Sequence, residues 1–147
     1  MLQDTYGNAI MELVRCDQAH TMVNEAAVGT ASLQRLCHDL AHRSGWWDEY
    51  VAMEPSARKH FIAGKLCLVH SEVSEALEGY RKGLQDDHLP HRPMVEVELA
   101  DTIIHIMDLA GALQLDVAGA IIEKLAYNQQ RPDHKKEARE AEGGKSL

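Results

Sequence analysis

Residues 57–82 run without a proline and set Ile62, Leu66, Val69, Val73, Ala76, Leu77 and Tyr80 at spacings that wind onto one broad stripe of an α-helix. Residues 94–114 repeat the pattern, with Val97, Ala100, Ile103, Ile104, Met107 and Leu109 expected inside. Aromatic residues make up only 5% of the chain, whereas Ala, Leu, Glu and Met are plentiful, which favours helices packed through aliphatic side chains over a β-sandwich. The expected class is all-α, and at 147 residues and 45% hydrophobic content one core needs no disulfide or structural metal.

Punctuation places the remaining elements. Ser56 is a candidate N-cap for the first long helix, Gly83 closes it, and Leu84–Pro93 is a loop with two prolines. Asp116 is a candidate N-cap for a helix from about Val117 to Gln130, ended by Pro132. Leu33, Leu36, Cys37, Leu40 and Ala41 predict a short amphipathic helix from Ala31 to Ser44-Gly45. Residues 4–28 are helix-compatible, with Gly29-Thr30 offering a stop and a new start. The chain divides accordingly into an N-terminal helical extension (1–30), a main domain (31–131) and a charged tail (132–147).

Net charge is −8, and no segment concentrates Lys and Arg, so polymeric nucleic acid is not an expected partner. A small polyanion still suits an acidic protein when a divalent cation reverses the local field. Cys16, Cys37 and Cys67 are widely spaced within apolar patterns and read as reduced core residues, without a disulfide framework or metal knuckle. No secretory pattern and no membrane-length apolar stretch is present, so the expected location is cytoplasmic, with no membrane partner.

The chemistry-bearing feature is a pair of acidic pairs. Glu72 and Glu75 share one helical face, as do Glu98 and Asp101, and both pairs sit at the edge of an apolar stripe. Four converging carboxylates repel unless cations neutralise them, and hard oxygen donors favour Mg²⁺, with Mn²⁺ as a substitute. Mg²⁺ shares its coordination with substrate phosphates, which points to hydrolysis of a phosphate ester or anhydride. On the third helix Lys124, Asn128 and Arg131 fall on one face beside Tyr127, a stripe suited to a polyphosphate.

The ordered set Glu72-Val-Ser-Glu75-Ala-Leu-Glu-Gly-Tyr-Arg-Lys, Glu98-Leu-Ala-Asp101 and Lys124-Leu-Ala-Tyr-Asn128-Gln-Gln-Arg131-Pro132 resembles the MazG-like all-α NTP pyrophosphatases. The resemblance spans Trp46 to Arg131. It implies a four-helix-bundle-like subunit forming a homodimer or homotetramer, with Mg²⁺ held by Glu72, Glu75, Glu98 and Asp101. It also implies cleavage of a nucleoside or deoxynucleoside triphosphate to a monophosphate and pyrophosphate, in nucleotide-pool house-cleaning. Lys124, Asn128 and Arg131 would hold the polyphosphate, with Lys124 offsetting charge on the leaving group and Glu75 the candidate to orient water. Trp46 or Trp47 would stack on the base.

Two other readings compete. One is a non-catalytic metal-binding helical oligomer. The other is an HD-type phosphohydrolase built on His38-Asp39 with His20, which leaves the acidic pairs unexplained. A di-iron bundle needs Glu-x-x-His pairs, and the chain has none. His105 and Asp108, one and two turns beyond Asp101, extend the acidic face; a buried, hydrogen-bonded histidine is the plainer reading of His105.

Overall fold

The computed structural model describes residues 19–131, which carry five helices and no strand. They are α1 (Ala19–Arg43), α2 (Asp48–Ala52), α3 (Pro55–Lys82), α4 (Met94–Ala112) and α5 (Val117–Gln130). The described residues fall into two units: Ser32–Leu115, and the segments flanking it on either side. The tail reading, Cys16 and residues before 19 lie outside the described residues. No single helix among the described residues is long and apolar enough to cross a membrane.

Helix α1 runs through Gly29 and Thr30 without a break, against the expectation of a stop there. A helical glycine costs only about 1 kcal/mol relative to alanine, and Ala26, Ala27 and Ala31 on either side are strong helix formers. The start of α3 also differs from expectation. Pro55 occupies the first turn and Glu54 is the cap residue, so Ser56 lies inside the helix. Proline has no N–H to lose at a position where the helix leaves that donor unpaired, which is why the helix begins there.

Gly83 and Asp116 act as expected. Gly83 closes α3 in the left-handed region at φ 64°, where a Cβ would strain the backbone. The Asp116 side chain accepts from the Gly119 N–H at 2.8 Å, a cap of about 1 kcal/mol at the start of α5. On α5, Ala118, Ile122 and Ala126 recur every four residues and form its buried face.

Within residues 32–115, α3 and α4 are the principal packed pair, and they run antiparallel: Gly79 near the end of α3 meets Met94 at the start of α4, while Lys65 reaches Asp108. The intervening turn is ordered by its backbone, with Leu84 N–H donating to Gly79 O, Asp86 N–H to Arg92 O and Met94 N–H to Leu84 O. Asp86 is buried and accepts from the His88 and Leu89 N–H groups.

The stripes expected inside point partly outward. Leu66, Val73, Leu77 and Tyr80 on α3, and Ile103 and Ile104 on α4, are all exposed. Ala76, Met107 and Leu109 are buried as expected, and Gly79, Glu98 and Thr102 are buried beside them. Periodicity marks a stripe but not its cover, and a stripe of large apolar residues left open calls for another surface. Cys37 is buried, whereas Cys67 is exposed, so the core reading fails for Cys67; both are free thiols.

The close approach of α3 and α4 depends on Gly79. A Cβ there would lie 2.9 Å from Met94 Cβ and 3.1 Å from the Val95 nitrogen. Gly79→Ala should therefore destabilise the chain by about 1–3 kcal/mol through overpacking, read as a lower midpoint in urea unfolding with an unchanged slope.

Candidate metal centre

Antiparallel packing carries the two acidic pairs to the same level. Single carboxylate oxygens of Glu72, Glu98 and Asp101 all lie within 4.8 Å of one another. Glu98 is buried and the other two half-buried, in a cavity of about 380 Å³ that Glu75 also lines. Glu75 is exposed and stands outside the converging trio. The turn between the helices supplies a wall that sequence reasoning left as surface loop: Asp86, His88 and Leu89 line the same cavity.

The electrostatics are those of an unneutralised acidic site. Burial pushes the Glu98 carboxyl up from its ordinary 4.5 to about 7, helped by its hydrogen bond to Glu72 and by the negative charges of Glu75, Glu72 and Asp101. Among the described residues, the cation-forming side chain paired with the trio is His105, whose Nε2 lies 3.5 Å from Glu72 Oε1. Three oxygens within 4.8 Å, one on a buried carboxylate, fit a hard divalent cation such as Mg²⁺ or Mn²⁺.

A second cavity, of about 510 Å³, adjoins the first and shares Asp101 with it. Its walls are largely apolar, from Leu33, Leu36, Leu40, Leu68 and Ile104, with Trp46 at the edge and Lys65, His105 and Asp108 facing in. The two tryptophans behave differently. Trp46 is exposed, while Trp47 is buried among His38, Tyr50 and Phe61 and donates its Nε1–H to Asp108 Oδ1 at 2.7 Å.

Asp108 is the hub of this floor. Besides Trp47, its Oδ1 bonds His38 Nδ1 at 3.0 Å, and its Oδ2 lies 3.9 Å from Lys65 Nζ. Asp108 is thus a structural anchor and not a further member of the trio. Its place in the apolar run Ile106-Met107-Asp108-Leu109-Ala110 was the available signal, since a buried carboxylate demands donors. Burial, and then the Asp108 charge, push the Cys37 thiol up. His38 bonds Asp108 rather than joining exposed Asp39 in a metal cluster.

The basic stripe lies on α5, in the other unit. Lys124 Nζ stands 4.7 Å and the Arg131 guanidinium 6.0 Å from the Tyr127 ring centre, so the two cations share one aromatic neighbour. Asn128 Oδ1 is buried there without a hydrogen-bond partner among the described residues. Arg81 and Lys82 pair with Glu78 at the end of α3, as surface charges do. No family model, curated protein or solved structure matches the chain.

Glu98 makes stability depend on pH in a defined direction. The folded chain holds the Glu98 proton up to about pH 7, whereas the unfolded chain releases it near 4.5, so folding takes up a proton between these values. That contribution is present below 4.5 and is lost as pH rises through 7. In EDTA, Glu98→Gln should therefore gain stability relative to wild type between pH 5 and 7.5, measured by urea unfolding; a difference that is flat with pH would contradict the arrangement.

Proposed function

We propose that the chain is a Mg²⁺-dependent nucleoside triphosphate pyrophosphohydrolase that converts a (d)NTP and water to a (d)NMP and pyrophosphate. The observation that carries this reading is the meeting of a three-carboxylate cluster and an apolar, Trp-edged groove at Asp101. A nucleotide has the same two-part character, with a polyanion at one end and a flat, largely apolar ring at the other. The motif order noted in the sequence supports the same assignment.

Glu72, Glu98 and Asp101 would hold the metal, with Glu75 at the open side of the same cavity. Bound there, Mg²⁺ would neutralise phosphate charge and polarise a phosphoryl oxygen. Glu75, exposed at the open side of the cavity, is suited to accept a proton from the attacking water at its carboxylate oxygen. His105 keeps Glu72 oriented by its contact with Oε1. The resemblance in the sequence would give Lys124, Asn128 and Arg131 the phosphate oxygens, with Lys124 offsetting charge on the leaving pyrophosphate. Trp46, the indole with an open face, is assigned to the base, and Trp47 to the floor that supports it.

The outward apolar residues of α3 and α4 support a homodimer or homotetramer, because a helix pair that leaves Leu66, Val73, Leu77 and Ile103 open gains from covering them. The test of function is pyrophosphate release from a panel of NTPs and dNTPs. Release should require Mg²⁺, stop in EDTA and fall by at least about 10²-fold in kcat for Glu98→Gln or Asp101→Asn, with helicity retained. A folded wild-type protein that releases pyrophosphate from no nucleotide would leave the non-catalytic metal-binding oligomer as the account.

A further inference from the structure

Among the described residues, the groove beside the carboxylates holds a half-buried donor, Lys65, whose charge is balanced and which makes no hydrogen bond to the protein. Lys65 is 12% exposed at its side chain, and its ammonium sits over three rings, 4.9 Å from Trp47, 5.6 Å from Trp46 and 5.7 Å from Phe61. Asp108 Oδ2 at 3.9 Å offsets its charge but is beyond hydrogen-bond distance. No other acceptor reaches it among the described residues, although an ammonium carries three donors. The other polar groups on the groove are committed or solvated. Asp101 belongs to the trio, His105 contacts Glu72, Asp108 Oδ1 serves Trp47 and His38, and Ser44 is exposed.

Lys65 therefore offers the groove a charge-balanced donor that a ligand can engage. A phosphate is the wrong partner, because the ammonium's charge is already answered by Asp108 and the aromatic faces. A neutral carbonyl oxygen makes the missing hydrogen bond without unbalancing the pair. Position agrees. Lys65 precedes Glu72 by seven residues on α3, about 10 Å along the axis, a separation suited to the sugar and ring that lie between a nucleotide's phosphates and the far edge of its base.

We infer that Lys65 is a specificity-determining residue that donates to a keto oxygen on the base edge opposite the sugar. This selects oxo bases, uracil, thymine, guanine and hypoxanthine, over the amino bases cytosine and adenine. The inference rests on the nucleotide reading of the site and names its substrate class. An amino group brought to Lys65 sets donor against donor and displaces the solvent that otherwise reaches the half-buried ammonium, which costs affinity.

The test uses nucleosides, which need neither metal nor hydrolysis. Dissociation constants of uridine, thymidine and inosine are compared with those of cytidine and adenosine by ligand-observed NMR on the full chain in EDTA. The comparison is repeated for Lys65→Met, which keeps an apolar stem, and Lys65→Arg, which keeps a cationic donor. Wild type should bind the oxo nucleosides roughly tenfold or more tightly than the amino ones; Lys65→Met should erase that preference by weakening oxo binding, and Lys65→Arg should retain much of it. Equal binding of the two classes by wild type, a preference that survives in a folded Lys65→Met, or no nucleoside binding at all would overturn the proposal. A Lys65-dependent preference without pyrophosphate release from the triphosphates would keep this inference and sink the pyrophosphohydrolase reading; release with no oxo preference would do the reverse.

Discussion

Everything near the candidate centre follows from how closely α3 and α4 approach while running in opposite directions. The approach is possible because the buried seam is made of small residues, Ala76 and Gly79 against the start of α4. Given that distance and direction, Glu72 has no choice but to face Glu98 and Asp101. The cost appears on Glu98, which burial and its acidic neighbours hold protonated far above the usual carboxylate range. A helix pair optimised for stability alone would fill that seam with aliphatic side chains, and this one instead exposes Leu66, Leu77, Ile103 and Ile104 and keeps Glu98 and Asp108 inside.

Beside this strained cluster the molecule builds a quiet one. Asp108 is equally buried, yet its carboxylate is surrounded by an indole N–H, an imidazole and an ammonium. The contrast separates two uses of a buried acid on a single helix: among the described residues the cation nearest Glu98's trio is His105, paired to Glu72, whereas Asp108 is provided with donors directly. Asp101 stands between them and borders both cavities, so a ligand spanning the two meets charge at one end and aliphatic and aromatic walls at the other.

Local chemistry was readable from the sequence wherever one residue decides the outcome. Gly83 ends α3 and Asp116 starts α5 because a left-handed cap and an N-cap oxygen are requirements of the backbone alone. The facing of Glu72 with Glu98 and Asp101 was readable too, since helical spacing and an antiparallel hairpin suffice. What periodicity left open was which partner covers a stripe, so Leu66, Val73, Leu77 and Ile103 were placed inward when they are exposed. Nor does adjacency in sequence separate Trp46 from Trp47: only the distant Asp108 makes one a floor and leaves the other at the rim. The turn residues Asp86 and His88 escaped for the same reason, because their role depends on where the helices around them end.

The Asp108 hub also constrains how such a chain can drift. Replacing Asp108 alone strands two donors and a half-buried ammonium, and replacing Lys65 or Trp47 alone leaves the carboxylate short of a partner. Gly111 belongs to the same set, because a side chain there would run into the His38 ring. Single steps away from this arrangement each lose more than their own contact, so the losses are not additive. Related chains should therefore be expected to exchange His38, Trp47, Lys65, Asp108 and Gly111 as a block, giving the floor of the groove a history of concerted replacement, while the aliphatic walls around it are free to change one residue at a time.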